Sequence, residues 1–470
     1  MASSLPDLPI QARRLLHAWL CLAVAALVGA GLFAGLVAMS RTPWIQGFLP
    51  GGDYLRKALV GHVVLSVVVW FLAFQGGLWV LADDRVGAGF KPAPTAWIGF
   101  WTAALGTAVL MTAAFLGWGD PVLANYIPVL AHPVFTTGLA LFGAGVGLVA
   151  VHTLWNILKS HSPLTLITFG SGITSAIVLI SLLCFSLAAL TLVGRDSSSL
   201  PIEEWVWGGG HVLQFANTAA MVLVWLMLAR LSLDVQLLKD RWAKAMLALY
   251  LIFALPAPFL YLEASPRHDF TLLMALGLGP ATAAFALVIL WVLFSRWNAL
   301  PWADPGFTSF VLSVAVFSLG GVISLGIRGS NVIIPAHYHG VIGGVTLAFM
   351  GFSYHLLPML GRKVWSPRLA RWQPYLYGTG QTLFVLGLFW AGVHGVPRKT
   401  FGMAQGLHDM PQMVGMSLMG VGGLIAILGG IAFIVNMVPS LIRNPQPEIS
   451  RWRVRDESRS RLPIPHEASH

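Results

Sequence analysis

The residues with the most evident chemistry in this sequence are histidines that lie within apolar segments. A neutral imidazole can ligate a metal ion, and otherwise it hydrogen-bonds to a neighbouring helix as part of the core. A lone histidine on an apolar face usually has the structural role, so several histidines together carry more information than one. Eight of the 14 histidines lie in or at the end of an apolar stretch: His62, His132, His152, His211, His337, His339, His355 and His394.

Two of these histidines form a His-x-His pair, His337 and His339. Residues two apart on a helix are rotated by about 200°, so the two side chains point to nearly opposite faces and cannot ligate one metal together. They can serve two cofactors that flank the helix. Because a haem iron takes axial imidazoles and an apolar interior suits a flat porphyrin, the pair predicts a helix that divides two haems.

The elements that carry the histidines are predicted to be membrane-spanning helices. Hydrophobic residues make up 57% of the 470 residues, charged residues only 10%, and the mean hydropathy is +0.76. A water-soluble enzyme is therefore excluded, since no soluble core could bury so much apolar surface. At about 20 residues per span, the composition corresponds to roughly twelve helices. Cys21 and Cys184 lie in apolar runs without a CxxC or CxxCH motif, so neither a thiolate–metal site nor covalently attached c-type haem is expected.

The predicted fold is an all-α integral membrane protein with twelve transmembrane helices. We expect one membrane domain over residues 1–441 and a basic, disordered cytoplasmic tail over residues 442–470. Glycines in the last span are expected to allow close helix packing. The predicted spans are 16–39, 58–82, 97–118, 127–157, 164–193, 205–230, 244–262, 270–295, 307–327, 331–360, 374–394 and 412–439.

The charges predict the orientation of the chain. If the N-terminus is cytoplasmic, all but eight of the 28 Lys and Arg lie on the cytoplasmic side, which is the asymmetry that the positive-inside rule requires. The net charge of +10 is then explained by topology, and no nucleic-acid partner is needed. Both termini are expected in the cytoplasm.

Four of the histidines are expected to share one layer of the membrane. His62 lies in span 2, His211 in span 6, and His337 and His339 lie in span 10, and all three spans enter from the outer side. Their positions place the four imidazoles roughly 7–13 Å below the outer end.

Twelve spans with histidines in spans 2, 6 and 10 resemble subunit I of the haem–copper oxidase superfamily, which includes cytochrome c oxidases and nitric oxide reductases. The resemblance covers nearly the whole chain in helix count. It implies that His337 is the proximal ligand of a high-spin haem and that His339 and His62 hold a low-spin haem, with b-type haem expected there.

Two further segments resemble motifs of that superfamily. Trp207–Phe215 is similar to the helix-6 motif, which implies His211 as a ligand of a second metal, copper or non-haem iron. Gly395–Lys399 is similar to a Gly-x-Pro-Arg-Arg motif, which implies that Arg398 and Lys399 bind haem propionates. Without the resemblance, the two cations could equally be solvated loop charges.

The sequence departs from the family at the second metal. Phe253–Tyr261 in span 7 lacks the family's two adjacent histidines, and Phe215 stands where many oxidases have a tyrosine. The glutamates typical of nitric oxide reductases do not follow His211. One imidazole holds copper or iron weakly, so other ligands would be needed. The nearby candidates are Gln214, Glu263, His268 and Asp269.

Proton delivery is also sparse in the sequence. The spans, as predicted, contain no deeply placed Asp, Glu, Lys or Arg, which weighs against an ion-coupled carrier. Span 5 offers hydroxyls instead: Thr165, Thr168, Ser171, Thr174, Ser175 and Ser181.

The sequence therefore predicts a dihaem membrane subunit of a respiratory terminal reductase in a bacterial inner membrane. Electrons would enter from cytochrome c or from a partner subunit with a c-type haem or copper, and His337 and His211 would form the site that reduces O2 or NO. One alternative is an electron conduit, gas sensor or assembly subunit without a second metal. A haem-free membrane transporter is the other.

Overall fold

The computed structural model describes residues 8–48, 52–86, 94–192, 202–262 and 267–443. Within these ranges the chain contains twelve helices that are long and apolar enough to cross a membrane, which confirms the predicted fold class. The predicted tail falls almost entirely on residues 444–470, outside the described part of the chain.

The helices, numbered by span, begin and end as follows. The first six are α1 Ile10–Arg41, α2 Gly52–Val86, α3 Pro94–Leu116, α4 Pro133–Lys159, α5 Leu166–Leu192 and α6 Ile202–Leu233. The last six are α7 Asp240–Leu262, α8 Arg267–Ser295, α9 Pro305–Ser324, α10 Ile333–Met359, α11 Pro367–Val393 and α12 Met410–Ile442. Helix α2 contains a π-helical segment, Val64–Val69, and α7 ends as a 3-10 helix, Ala257–Leu262. Two short antiparallel strands, β1 Asp120–Val122 and β2 Val129–Ala131, join α3 to α4.

Three helices form the interior of the bundle, and they are the three that carry the four histidines. In the central windows of α2 and α6, 89% of residues are buried, and in α10 the value is 83%, whereas the other nine helices range from 22% to 56%. A span buried on all sides has no lipid-facing stripe, so its polar side chains can face cavities or cofactors inside the protein.

Helices α11 and α12 pack closely through glycines spaced seven residues apart. On α12, Gly415, Gly422 and Gly429 meet the backbone of α11, where Gly380 and Gly387 meet the backbone of α12 in return. A Cβ at residue 422 would lie 2.3 Å from the backbone nitrogen of Phe384. Small residues allow this backbone contact in a membrane, where packing and not the hydrophobic effect holds helices together.

The first and last helices meet at the inner face. The Nε2 atom of His17 on α1 lies 3.0 Å from the carbonyl oxygen of Leu441 on α12. The bundle is thereby closed between its two ends, with the start of α1 and the end of α12 on one side of the membrane.

Candidate functional site

The imidazoles of His62 and His337 are each fixed through one ring nitrogen. The Nδ1 atom of His62 lies 3.0 Å from the carbonyl oxygen of Ala30 on α1, and that of His337 lies 2.9 Å from the carbonyl oxygen of Gly320 on α9. Since a carbonyl only accepts, each Nδ1 donates, and each Nε2 carries a lone pair that has no hydrogen-bond partner among the described residues. A backbone carbonyl on the second nitrogen is the usual support for a metal-ligating histidine.

His337 and His339 face different neighbours, as residues two apart on a helix should. His337 points to Gly320 on α9, whereas the ring of His339 packs 4.4 Å from the ring of Phe384 on α11. Both rings, and Tyr338 between them, retain partial exposure although most of α10 is buried. Helix α10 therefore presents accessible imidazole surface on two sides.

His339 and His62 lie in one region of the bundle. His62 and Arg41 interact electrostatically with His339. Because the ring of His62 is fixed to α1 and that of His339 packs on α11, this region is enclosed by α1, α2, α10 and α11. It is separated by α10 from the region around His337.

Two arginines at the outer end of the bundle have buried guanidinium nitrogens without an acceptor. Among the described residues, neither Nη2 of Arg41 nor Nε of Arg398 finds a hydrogen-bond partner. Arg41 reaches from the end of α1 to the loop between α11 and α12, where its Nε donates to the carbonyl of Thr400 at 3.1 Å. Arg398 in the same loop interacts electrostatically with Tyr338. An unpaired buried cation is costly, so this geometry favours an anionic ligand.

Lys399 differs from Arg398, although the sequence treats them as a pair. Its backbone lies in the left-handed region with φ 61°, and its Nζ donates to the carbonyl oxygen of Leu123. Burial and the neighbouring Arg398 lower the pKa of Lys399, whereas Glu203 opposes the shift. The amine of Lys399 is therefore already engaged with the loop between α3 and α4.

Both ring nitrogens of His211 have partners in the protein. Its Nδ1 lies 2.7 Å from the carbonyl oxygen of Trp207, one turn earlier on α6, and its Nε2 lies 3.0 Å from the hydroxyl of Tyr126. Because Nδ1 must donate to the carbonyl, Nε2 is the acceptor, and the phenol donates to it. A metal ion on His211 would have to displace one of these partners.

The surroundings of His211 are aromatic. The rings of Tyr126 and Trp207 lie 4.4 and 4.7 Å from its ring, and Phe270 lies 6.3 Å away. Tyr261 of α7 packs against Gly208, which lies on α6 together with His211. The described neighbours of His211 are thus aromatic, and span 7 supplies a tyrosine beside this helix instead of a histidine.

Two of the candidates that the sequence offers as further metal ligands are described with other surroundings. Gln214 donates to the carbonyl of Gly210 and accepts from Asn217, while His268 is exposed at the start of α8. No group of three His, Cys, Asp or Glu with metal-binding geometry occurs within the described residues. Glu263 lies outside those residues.

The loop between α3 and α4 places Tyr126 by several specific contacts. The carboxylate of Glu203 accepts from the backbone nitrogen of Asn125 at 3.0 Å and from its Nδ2 at 2.6 Å. Tyr126 itself has φ 66°, a left-handed conformation that a bulky residue adopts only when its surroundings require it. On α6, a Cβ at Gly210 would lie 2.6 Å from the Cβ of Tyr126, so the absence of a side chain there admits the ring.

The Tyr126 phenol is held in its neutral form. Burial, followed by the proximity of Tyr338 and Glu203, raises the pKa of Tyr126 well above its ordinary value. The hydroxyl therefore keeps its proton throughout the neutral range and remains a donor to His211.

The structure extends span 2 beyond its predicted end and brings a buried acidic residue into it. Helix α2 continues to Val86, beyond the predicted residue 82, and Asp83 near its inner end is 4% exposed. Its carboxylate accepts from Thr153 at 3.0 Å and from Asn156 at 3.4 Å. Two turns earlier on α2, Gln75 donates to Asn217 of α6 at 2.9 Å. These contacts are two separate groups of buried or partly buried polar side chains on the inner side of His211.

Comparison with known proteins is consistent with this arrangement. The sequence profile of the family described as cytochrome c and quinol oxidase polypeptide I matches residues 14–431. The chain belongs to this family. It is therefore a haem–copper oxidase subunit I-like protein, as the sequence analysis predicted.

Individual relatives agree with the family assignment. The chain is 24% identical to cytochrome c oxidase subunit 1 of Thermus thermophilus over 92% of this chain and 85% of that protein. It is 27% identical to an uncharacterized protein of Rickettsia prowazekii over 89% of this chain and 94% of that protein. A heme-copper terminal oxidase dimer solved by cryo-EM superimposes with a TM-score of 0.77 at 19% identity, over 94% of this chain and 86% of that one.

The family binds haem, and the residues of this oxidase-like chain fit such a group. The free Nε2 atoms of His62 and His337 suit an axial ligand role, and the unpaired nitrogens of Arg41 and Arg398 suit carboxylates at the outer edge. The surroundings of His211 do not fit a second metal, because both of its nitrogens are engaged.

Sequence reasoning missed three residues of this site. Arg41 was counted only as an outer charge, although its position at the end of an apolar span marked it as a membrane-edge cation. Tyr126 and Glu203 lie 77 positions apart in regions without a motif, and only the folded loop joins them to His211.

Proposed function

We propose that this chain is the haem-binding membrane subunit of a respiratory terminal reductase, with two haems on opposite sides of α10. His62 and His339 hold a low-spin haem, of b type, and His337 holds a high-spin haem. The observation that carries this proposal is the free Nε2 atom of His337, whose Nδ1 is bonded to Gly320. The partly exposed ring of His339 on the other side of the same helix supports a second group there.

Haem supplies electron transfer and the binding of a small gas when it is bound. The chain orients the imidazoles through Ala30 and Gly320, and Arg41 and Arg398 hold propionates at the outer edge. Lys399 acts as a positioning residue, since its amine is engaged with Leu123. His211 lies with its aromatic neighbours on the side of the bundle where the gas would bind.

Protons for the reduction of O2 or NO would be held by the buried polar groups on the inner side of His211. Asp83, Thr153 and Asn156 form a hydrogen-bonded group near the inner end of α2, and Gln75 and Asn217 form a second one between α2 and α6. Cytochrome c, or a partner subunit with a c-type haem or copper, would donate electrons at the outer face of a bacterial inner membrane.

A reduced-minus-oxidised visible spectrum of the purified protein, with iron counted per chain, tests the proposal. We expect two haems in the wild type, and loss of the low-spin signal in His339→Ala with the high-spin signal retained. His355→Ala on the same helix serves as a control, because that ring bonds Ser232 near the inner end. An unchanged spectrum in His339→Ala would refute the ligand assignment, and a preparation without a Soret band would favour a membrane transporter.

One observation favours a second function, an electron conduit or gas-sensing subunit without a second metal. Tyr126 and Trp207 occupy both ring nitrogens of His211, and an oxidase of the binuclear type needs that imidazole for its metal. Consumption of O2 and NO by the dihaem protein separates the two functions. Turnover supports the reductase, and stoichiometric haem without turnover supports the conduit or sensor.

A further inference from the structure

The Tyr126–His211 pair stands at the position where the resemblance implied a second metal. The phenol is delivered by a loop between α3 and α4, and the imidazole belongs to α6, so two separate parts of the chain are folded around one hydrogen bond of 3.0 Å. This pairing has no counterpart in the motifs from which the family resemblance was drawn. We propose that the Tyr126 hydroxyl occupies the second-metal position on His211, so that the haem iron on His337 is the only metal of this centre.

The hydrogen-bond pattern leaves His211 no lone pair for a metal. Neutral imidazole has one N–H and one lone pair, and the N–H is used by the carbonyl of Trp207 at 2.7 Å. The lone pair on Nε2 accepts the phenolic proton of Tyr126. The imidazole is saturated by uncharged partners, and no third group is required to satisfy it.

The loop is built to keep the phenol in this place. Tyr126 holds a left-handed backbone conformation, and the preceding Asn125 is clamped twice by Glu203 at the start of α6. The ring lies in the space left by Gly210, one residue before His211. Since a strained residue persists only where its surroundings determine it, these contacts indicate a specific role for the phenol.

The phenol also separates two groups that could otherwise ligate a soft metal. Its hydroxyl oxygen lies 3.6 Å from Sδ of Met274 on α8 and 3.0 Å from Nε2 of His211. Thioether sulfur and imidazole nitrogen are suited to copper(I). Removal of the ring would leave both atoms facing one empty position.

The inference rests on the proposed function only for its haem, and the metal content tests it separately. Purified protein from copper-supplemented cells is analysed for copper and iron, and its oxidised form is examined by EPR. We expect copper and non-haem iron well below one per chain, with a high-spin ferric signal of one spin per chain. A high-spin haem coupled to a second paramagnetic metal would be silent or strongly diminished in that spectrum.

The opposite result is a second metal at about one per chain that is lost in His211→Leu. It would overturn the inference and leave the dihaem proposal intact. Protein without haem would instead refute the proposed function, and the copper count would still decide between an occupied and a metal-free His211.

Copper(I) titration of the purified, copper-free protein tests the role of Tyr126 directly. We expect Tyr126→Ala to bind copper(I) at least about tenfold more tightly than the wild type, and the gain to vanish in the double variant with Met274→Leu. Tyr250→Phe is the matched control, because it removes another buried phenol whose hydroxyl bonds Thr282 at 2.8 Å. Equal copper affinity of Tyr126→Ala and the wild type would overturn the inference that Tyr126 excludes a metal from His211. If Tyr126→Ala does not fold, the metal count and the EPR signal of the wild type still decide the inference.

Discussion

Individual side chains at the outer end of the bundle carry charge that the protein itself does not balance. Arg41 and Arg398 each bury a guanidinium nitrogen without an acceptor within the described residues. Burial of an unpaired polar donor costs about 1–3 kcal/mol, and more for a charged group. These two residues are therefore sensitive reporters of any anionic group bound beside them.

Arg398→Gln should lower the midpoint potential of the haem nearest to it. Loss of a positive charge stabilises the more positive, oxidised haem, and we expect a decrease of roughly tens of millivolts. Redox titration followed by visible absorption measures the effect. Arg328→Gln removes an exposed arginine from a neighbouring outer loop and should leave the potential unchanged; equal shifts in both variants would show that Arg398 acts only through the overall charge.

The Tyr126 phenol should give the unfolding free energy a specific dependence on alkaline pH. Its pKa is raised in the folded protein, so its stabilising contribution is complete below the unfolded pKa of about 10 and is lost as the pH rises toward the folded value. Between the unfolded and the folded pKa, the wild type should lose up to about 1.4 kcal/mol more per pH unit than Tyr126→Phe. Thermal unfolding in detergent between pH 8 and 11 measures the difference, and parallel curves for the two proteins would contradict it.

The sequence predicted individual side chains where a single helix determines their direction. The opposite faces of His337 and His339 follow from helical geometry alone, and the structure directs them to Gly320 and to Phe384. The contact of Tyr126 with His211 could not be predicted, because it depends on a left-handed residue in a loop. The unequal roles of Arg398 and Lys399 depend on loop conformation in the same way.

At the scale of helices, the packing of α11 against α12 is coupled to the candidate haem ligand His339. Gly422 lies against the backbone of Phe384, whose ring is 4.4 Å from the ring of His339. Any side chain at residue 422 must push α11 or its phenylalanine toward the imidazole. The glycine spacing on α12 thus has a consequence for the site as well as for helix association.

Gly422→Ala should alter the low-spin haem spectrum and reduce thermal stability. A Cβ there would lie 2.3 Å from the backbone nitrogen of Phe384, so the helices must separate, and overpacking of this kind costs about 1–3 kcal/mol. Gly430→Ala on the same helix meets nothing within 4 Å and should be neutral or slightly stabilising. Visible spectra and thermal melts of both variants make the comparison, and identical behaviour would disprove the coupling.

The twelve spans were predictable because their length and hydropathy are set by the membrane, not by neighbouring helices. The ends of the spans are less predictable from the sequence. The predicted span 2 ends at residue 82 and leaves Asp83 outside, whereas α2 continues to Val86. Hydropathy cannot distinguish a helix that ends at the membrane surface from one that continues with its carboxylate satisfied by Thr153 and Asn156. That α2, α6 and α10 form the interior follows from packing, which the sequence does not display.

For the whole molecule, bound haem should be a major source of stability. It would pair the buried nitrogens of Arg41 and Arg398 and fill the partly exposed surface on both sides of α10. A ligand present at a thousand times its dissociation constant stabilises the folded state by about 4 kcal/mol.

Protein produced in haem-deficient cells should therefore melt at a lower temperature than the holoprotein. This difference in melting temperature between haem-free and haem-containing protein should be smaller in Arg41→Met, because that variant lacks the guanidinium of residue 41. Arg328→Met should keep the full difference. Fluorescence-detected size exclusion after heating provides the measurement. An equal melting temperature with and without haem would argue that the bundle does not depend on the cofactor.

The contact between His17 and Leu441 has a consequence for the order of biosynthesis. The region around His339 is enclosed by α1 and by α11, and α11 packs on α12, which follows it in the chain. Tyr126, His211 and Met274 instead come from the middle of the chain and can assemble earlier. With the proposed ligands, the low-spin haem should be inserted only after α12 has been made, so a chain truncated before α12 should contain no low-spin haem.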